Sequence, residues 1–201
     1  MKYKNYIFDC GNVLFFFSRD HLLDVFLNDN EDDRKLFYDV VYKNWEKQDY
    51  GLSNKEFYEL VIKDLPPHMH KASHDVIYRW IEEIKPFEEM IELIKRLKSN
   101  GHKIYLLSNM PENYSLLFEK LPILNEFDDL VFSYPLKIAK PQPEIFNYLL
   151  NKNNLDKKDC IFVDDSLINI EAAKKIGISG YLFNPQNINE FIDFVEEMEN
   201  L

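Results

Sequence analysis

Five short apolar runs, each broken off at a polar residue, constrain this chain more than any other feature. They are KNYIF at 4–8, KIYLL at 103–107, DLVFS at 129–133, CIFV at 160–163 and GYLF at 180–183. All are rich in Ile, Val, Phe and Tyr, and none alternates cleanly between apolar and polar residues. Strands covered on both faces, as in a parallel sheet, have this composition. Helical spacing fills the intervals. Phe87, Met90, Ile91, Ile94 and Leu97 form an apolar stripe that Gly101 closes just past Asn100. Ile145, Phe146 and Leu149 follow Pro143, a residue suited to a first helical turn. A further helix is expected from about Leu167 to Ile176, stopping at Gly177, and the last carries Ile188, Phe191, Ile192 and Val195. Strands alternating with helices predict an α/β fold, a Rossmann-like parallel sheet with right-handed crossovers.

The interval from 16 to 85 departs from that rhythm. Its apolar residues are helically spaced, as in Leu22, Leu23, Val25 and Phe26, or Phe57, Leu60 and Val61, and Ser53 with Glu56 forms a capping box. These roughly 70 residues show no convincing strand and far exceed the dozen a crossover requires. The expected organisation is a catalytic core of residues 1–15 and 86–201 carrying a helical cap subdomain at 16–85.

In open α/β sheets, ligands bind beyond the carboxyl ends of the strands. Read in order, those ends supply Asp9, then Ser108 and Asn109, then Asp164 with Asp165, while Lys140 lies in the loop before the Pro143 helix. Each suits phosphoryl transfer. A carboxylate such as Asp9 can accept a phosphoryl group, splitting hydrolysis into two easier steps. Asp9 and Asp164 offer the hard oxygen ligands that Mg²⁺ prefers. Ser108 and Lys140 can steady the equatorial phosphate oxygens, with Asn109 beside them. Singly, each residue is an ordinary turn former, loop residue or helix cap; the ordered set at one rim carries the reading.

The same residues lie in FDCGNVL (8–14), LLSNM (106–110), KPQPEIF (140–146) and FVDDSLINIEAAKKIGI (162–178). These motifs, spread over most of the chain, resemble the haloacid dehalogenase-like hydrolases, which also carry a helical cap after the first strand. The resemblance implies Asp9 as nucleophile, the backbone carbonyl of Gly11 as a further Mg²⁺ ligand, and Ser108 and Lys140 at the phosphate. It also implies Asp164 on the metal, with Asp165 close behind and Asn169 supporting the pair. The FDxGNV form resembles a bacterial branch that includes α-glucose-1-phosphate phosphatases. Phosphatases of the family usually place a second Asp, a general acid, where this chain has Gly11. Without it, a good leaving group such as an anomeric sugar oxygen is favoured over an alkoxide, unless a cap residue or an ordered water supplies the proton; Glu46, Asp49 and His21 are the cap candidates.

The expected function is Mg²⁺-dependent hydrolysis of a small phosphorylated metabolite, a sugar phosphate among the options. A sugar phosphomutase is disfavoured by Gly11, and a metal-free dehalogenase does not need the full acidic pair. A phosphonate-cleaving enzyme would require a cap lysine for a Schiff base, from Lys43, Lys47, Lys55, Lys63 or Lys71. A non-catalytic phosphate-binding module would have no need to keep every reactive part. Tyr38, Tyr42, Trp45 and Tyr50 could form a docking patch, but helically spaced aromatics more often pack against a core. The net charge of −11 argues against a nucleic acid partner. The longest dense apolar stretch, Val13 to Phe17, is far short of a membrane span. Lys2 and Lys4 precede an apolar run that Asp9 interrupts, a poor signal peptide, so a cytoplasmic location is expected. Cys10 and Cys160, about 13 Å apart by strand geometry, should remain reduced.

Overall fold

A computed structural model describes residues 2–27 and 30–199. In chain order, β1 (Asn5–Phe8) and β2 (Phe15–Phe16) come first. The helices α1 (Arg19–Phe26), α2 (Glu31–Val40), α3 (Glu46–Asp49), α4 (Asn54–Val61) and α5 (His70–Arg79) follow. Then come β3 (Lys85–Pro86), α6 (Glu88–Ser99), β4 (Lys103–Ser108), α7 (Leu117–Lys120), β5 (Asp129–Phe132) and α8 (Ser133–Leu136). The chain closes with α9 (Pro143–Lys152), β6 (Cys160–Asp164), α10 (Leu167–Ile176), β7 (Ser179–Leu182) and α11 (Ile188–Glu199).

The main sheet has the order β5-β4-β1-β6-β7, and every pairing in it is parallel. Its strands are the five apolar runs, and their lack of alternation has a direct cause. Tyr6, Phe8, Ile104, Leu106, Ile161 and Val163 pack on one face with Met90, Leu93, Ile94, Leu97, Phe191 and Val195 of α6 and α11. The intervening Ile7, Tyr105, Leu107 and Phe162 pack on the other with Ile145, Phe146, Leu149, Ile170 and Ala173 of α9 and α10. Both faces are therefore core. Local sequence sets the helix ends. Ser18 accepts a hydrogen bond from the N–H of His21, Asn30 from those of Asp32 and Asp33. The Ser53–Glu56 capping box is formed in both directions. Gly177, at φ 98°, ends α10, a left-handed turn that glycine adopts without a Cβ clash.

The helical segment after the first strand is present, with one departure from the sequence reading. Phe15–Phe16 pairs antiparallel with Lys85–Pro86, so a two-residue ribbon clasps the two ends of the segment. A strand of two residues is too short to leave a periodic trace, and Pro86 tolerates the pairing because this ribbon has only two strands. The apolar cluster on the α6/α11 face continues through Phe15 into Phe37, Phe57, Val76 and Trp80, so core and helical segment share one interior. Cys10 and Cys160 are buried free thiols. Among the described residues, no helix is long and apolar enough to cross a membrane.

Candidate active site

Register places the reactive residues at one rim. Phe8 of the central strand β1 stands level with Leu106 and with Val163, so Asp9 and Asp164 each follow by one residue and Ser108 by two. The N–H of Asp9 donates to the carbonyl of Val163 at 2.9 Å, which continues the ladder one step past the strand. The hydroxyl of Ser108 donates to Oδ1 of Asp9 at 2.8 Å.

Lys140 joins the two carboxylates. Its Nζ lies 2.8 Å from Asp9 Oδ1 and 2.7 Å from Asp164 Oδ2. The side chains of Lys140 and Asp164 are 1% and 0% exposed, that of Asp9 13%. Burial works against the lysine's charge, but Asp164 and Asp9 outweigh it and hold the ammonium above its ordinary range. Burial pushes the Asp9 carboxyl up to about 6 against the pull of Lys140, with Asp164 and Asp165 adding to the rise.

A surrounding layer fixes these groups. The Asn109 amide donates to the carbonyl of Lys140 at 2.9 Å and accepts from its N–H at 2.8 Å. Both ends of that side chain are thus spent on the Lys140 main chain. Asn169 donates to both carboxylate oxygens of Asp164 at 3.1 Å, and the N–H of Ser166 adds a bond at 2.8 Å. Burial raises the Asp165 carboxyl, with the hydrogen bond from Asn12 opposing it. Asn12 has no assigned role in the sequence reading, yet its φ of 55° puts it in the left-handed region that asparagine tolerates. Its amide donates to Asp165 Oδ2 at 3.1 Å while its Oδ1 accepts from the N–H of Phe17 at 3.0 Å. The residue following Gly in FDCGNVL was a visible signal for such a turn.

Carboxylate oxygens of Asp9, Asp164 and Asp165 lie within 4.8 Å of one another. Three ionised carboxylates against the one ammonium of Lys140 leave a net charge of −2, and an all-oxygen donor set of that charge fits a hard divalent cation such as Mg²⁺. A cavity of about 100 Å³ opens beside Asp9, Gly11, Ser108 and Asn109. Phe15, Phe17, Trp45 and Trp80 wall it together with Met110, so it is small, aromatic on one side and polar on the other. Tyr38, Tyr42 and Trp45 are linked ring to ring at 5.0 and 5.9 Å, and Tyr42 is buried. Lys43, Lys47, Lys55, Lys63 and Lys71 are all exposed.

The model of the haloacid dehalogenase-like hydrolases matches residues 3–177. D-ribitol-5-phosphate phosphatase of Bacteroides thetaiotaomicron is 27% identical over an alignment covering 92% of this chain and 92% of that protein. A phosphorylated carbohydrates phosphatase of Thermotoga maritima is 31% identical over 59% of this chain and 56% of its own length. In three dimensions, a HAD family enzyme of Bacteroides thetaiotaomicron, solved with magnesium and inorganic phosphate, has a TM-score of 0.72 at 23% identity, covering 91% and 95% of the two chains. At that identity the likeness is one of fold. With a match that takes in every rim residue from Asp9 to Asn169, the chain belongs to the haloacid dehalogenase-like hydrolase family.

Proposed function

We propose that the chain is a Mg²⁺-dependent phosphomonoester hydrolase acting through an aspartyl-phosphate on a small phosphorylated metabolite of the sugar or polyol phosphate kind. The observation that carries this reading is the contact of Lys140 with both Asp9 and Asp164 at the carboxyl end of the central strand. Phosphatase relatives that act on D-ribitol 5-phosphate and on phosphorylated carbohydrates support the substrate class.

Asp9, Asp164 and the Gly11 carbonyl would hold Mg²⁺, which when bound lets an anionic nucleophile approach an anionic phosphate. Among the described residues, Ser108 and Lys140 both contact the Asp9 side chain at Oδ1, which leaves Oδ2 to attack phosphorus. Ser108 and Lys140 then turn from Asp9 to the phosphate oxygens, supplying donors that are already placed. Asn109 fixes the Lys140 main chain and lines the cavity where the phosphate sits. Asn169 and Asp165 hold the acidic group in position. The segment 16–85 is read as a cap that shields the site from water and contacts the rest of the substrate, the core being 1–15 and 86–201.

The test is hydrolysis of p-nitrophenyl phosphate with and without Mg²⁺, beside Asp9→Asn. Metal-dependent turnover that the isosteric variant abolishes, with its fold intact by circular dichroism, is the expected result. Turnover that survives Asp9→Asn would sink the mechanism. Metal or phosphate binding without turnover in the wild type would favour a non-catalytic binding module.

A further inference from the structure

Hydrolysis of an alkyl phosphate requires a proton for the leaving oxygen, and position 11 has no side chain to supply it. We propose that Asp49, from the helical segment, delivers that proton and takes it back from the attacking water. This rests on the phosphatase reading above.

Three observations place Asp49 for the task. It ends α3, a helix that begins directly after Trp45, and Trp45 walls the same cavity as Asp9. That helix packs against α8, whose Ser133 hydroxyl accepts a hydrogen bond from the N–H of cavity-lining Met110 at 3.0 Å. Second, the Asp49 side chain is half-buried, yet among the described residues no hydrogen bond or ion pair holds its carboxyl group. Carboxylates withdrawn from water without a partner are costly, and such groups in a cleft are candidates for function. Third, the charges that act most strongly on it are those of Lys140 and Asp9, followed by Glu46 and Arg19. Asp49 therefore lies within electrostatic reach of the reaction centre.

The alternatives do not share this setting. His21 is engaged with Glu83, its Nε2 lying 3.2 Å from Oε2. Glu46 is exposed to solvent. Burial, resisted by Lys140 and reinforced by Asp9, pushes the Asp49 carboxyl up to about 7, so a useful fraction carries a proton near neutral pH.

In the first step, an Asp9 oxygen forms a bond to phosphorus as the ester P–O bond breaks. The protonated Asp49 gives its proton to the departing oxygen, so a neutral alcohol leaves and Asp49 becomes a carboxylate. In the second, water attacks the phosphoryl group and Asp49 accepts a proton from it. Inorganic phosphate departs, and both aspartates return to their starting states.

The test compares Asp49→Asn with the wild type on two leaving groups, reading kcat/KM, which reports the first step. One substrate is p-nitrophenyl phosphate, whose leaving group needs no proton; the other is the best alkyl substrate found in a panel of polyol and sugar phosphates. A lost general acid is worth about 10²–10⁴-fold. The variant should lose that much on the alkyl ester and less than about tenfold on the aryl ester, a range general-acid catalysis sets. Equal losses on both would assign Asp49 a structural role and overturn the proposal, as would an undiminished alkyl rate. Wild-type protein that hydrolyses the aryl ester but no alkyl ester would also overturn it. Absence of any wild-type turnover would instead overturn the phosphatase reading.

Discussion

The ammonium of Lys140 sits 2.8 Å from Oδ1 of Asp9, beside the clustered carboxylates of Asp9, Asp164 and Asp165. Asp164, at 2.7 Å on its other side, shares the same charge. Removing one partner of a buried ion pair leaves the other charge stranded, at a cost of about 3–5 kcal/mol. Lys140→Met should therefore destabilise the metal-free protein by about that much in urea denaturation with EDTA present. The sign with pH follows from the carboxyls. A carboxyl whose folded pKa is raised is stable while protonated and loses stability as pH rises through that pKa. Asp9, already at about 6, should rise further, so the deficit is smaller at pH 5 than at pH 8. Saturating Mg²⁺ should narrow it; a deficit indifferent to both pH and Mg²⁺ would contradict this account.

Asn12 couples the metal-side carboxylate Asp165 to the entry of the helical segment at Phe17. Glycine at this position keeps the left-handed backbone and removes both side-chain bonds. Alanine removes them and adds strain of about 1–2 kcal/mol. Both variants should bind Mg²⁺ about tenfold or more weakly by calorimetric titration, the usual cost of losing a group that orients metal ligands. Only Asn12→Ala should also melt measurably lower than Asn12→Gly. Equal melting of the two would show that the backbone strain is absorbed locally.

Much of this was legible in the sequence, and the limits have physical causes. All five sheet strands fall on the apolar runs; for β1, β4 and β6 burial on both faces leaves a dense composition that neither a surface strand nor a loop carries, whereas the edge strand β7 is half-buried and exposed at Leu182. The rim residues were legible because each closes a strand or its following loop, a position fixed by one-dimensional order. The Phe15–Phe16 ribbon was not, since two residues carry no period. Asn109 lines the cavity, but that its amide is spent on the Lys140 main chain was not legible; a contact 31 residues away in sequence leaves no local trace. Asp49 stood level with Glu46 and His21 in sequence. What separates them is burial and the presence of Glu83 beside His21, both products of tertiary packing.

Gly11 is not confined to glycine by its backbone or its surroundings. A Cβ there would meet Phe15 Cζ at 3.9 Å and nothing closer, an ordinary contact. Gly11→Asp should consequently fold with a stability within about 1 kcal/mol of wild type. Combined with Asp49→Asn, it should restore part of the alkyl phosphate activity that the single variant loses. A double variant as inactive on alkyl esters as Asp49→Asn alone would show that position 11 cannot reach the leaving oxygen in this chain.

Away from the site, Asp128 ties three elements together and gives the fold an acid-sensitive clasp. It accepts from Lys103 Nζ at 2.8 Å, from the N–H of Ile104 at 2.9 Å and from Lys98 Nζ at 3.0 Å. These bonds join the end of α6, the start of β4 and the approach to β5. Burial alone would raise the carboxyl, but the three donors outweigh it and the group is held below its usual range. A carboxyl depressed in the folded state adds stability above its unfolded pKa of about 3.9 and loses it as pH falls through the folded value. Asp128→Asn should accordingly cost about 1–2 kcal/mol at pH 7, the scale of charge-assisted hydrogen bonds that are partly exposed, and progressively less below pH 4. Urea denaturation of both proteins at pH 7 and pH 3 measures the difference. A gap that stays constant across that range would mean that the hydrogen-bond geometry, not the carboxylate charge, holds the three elements.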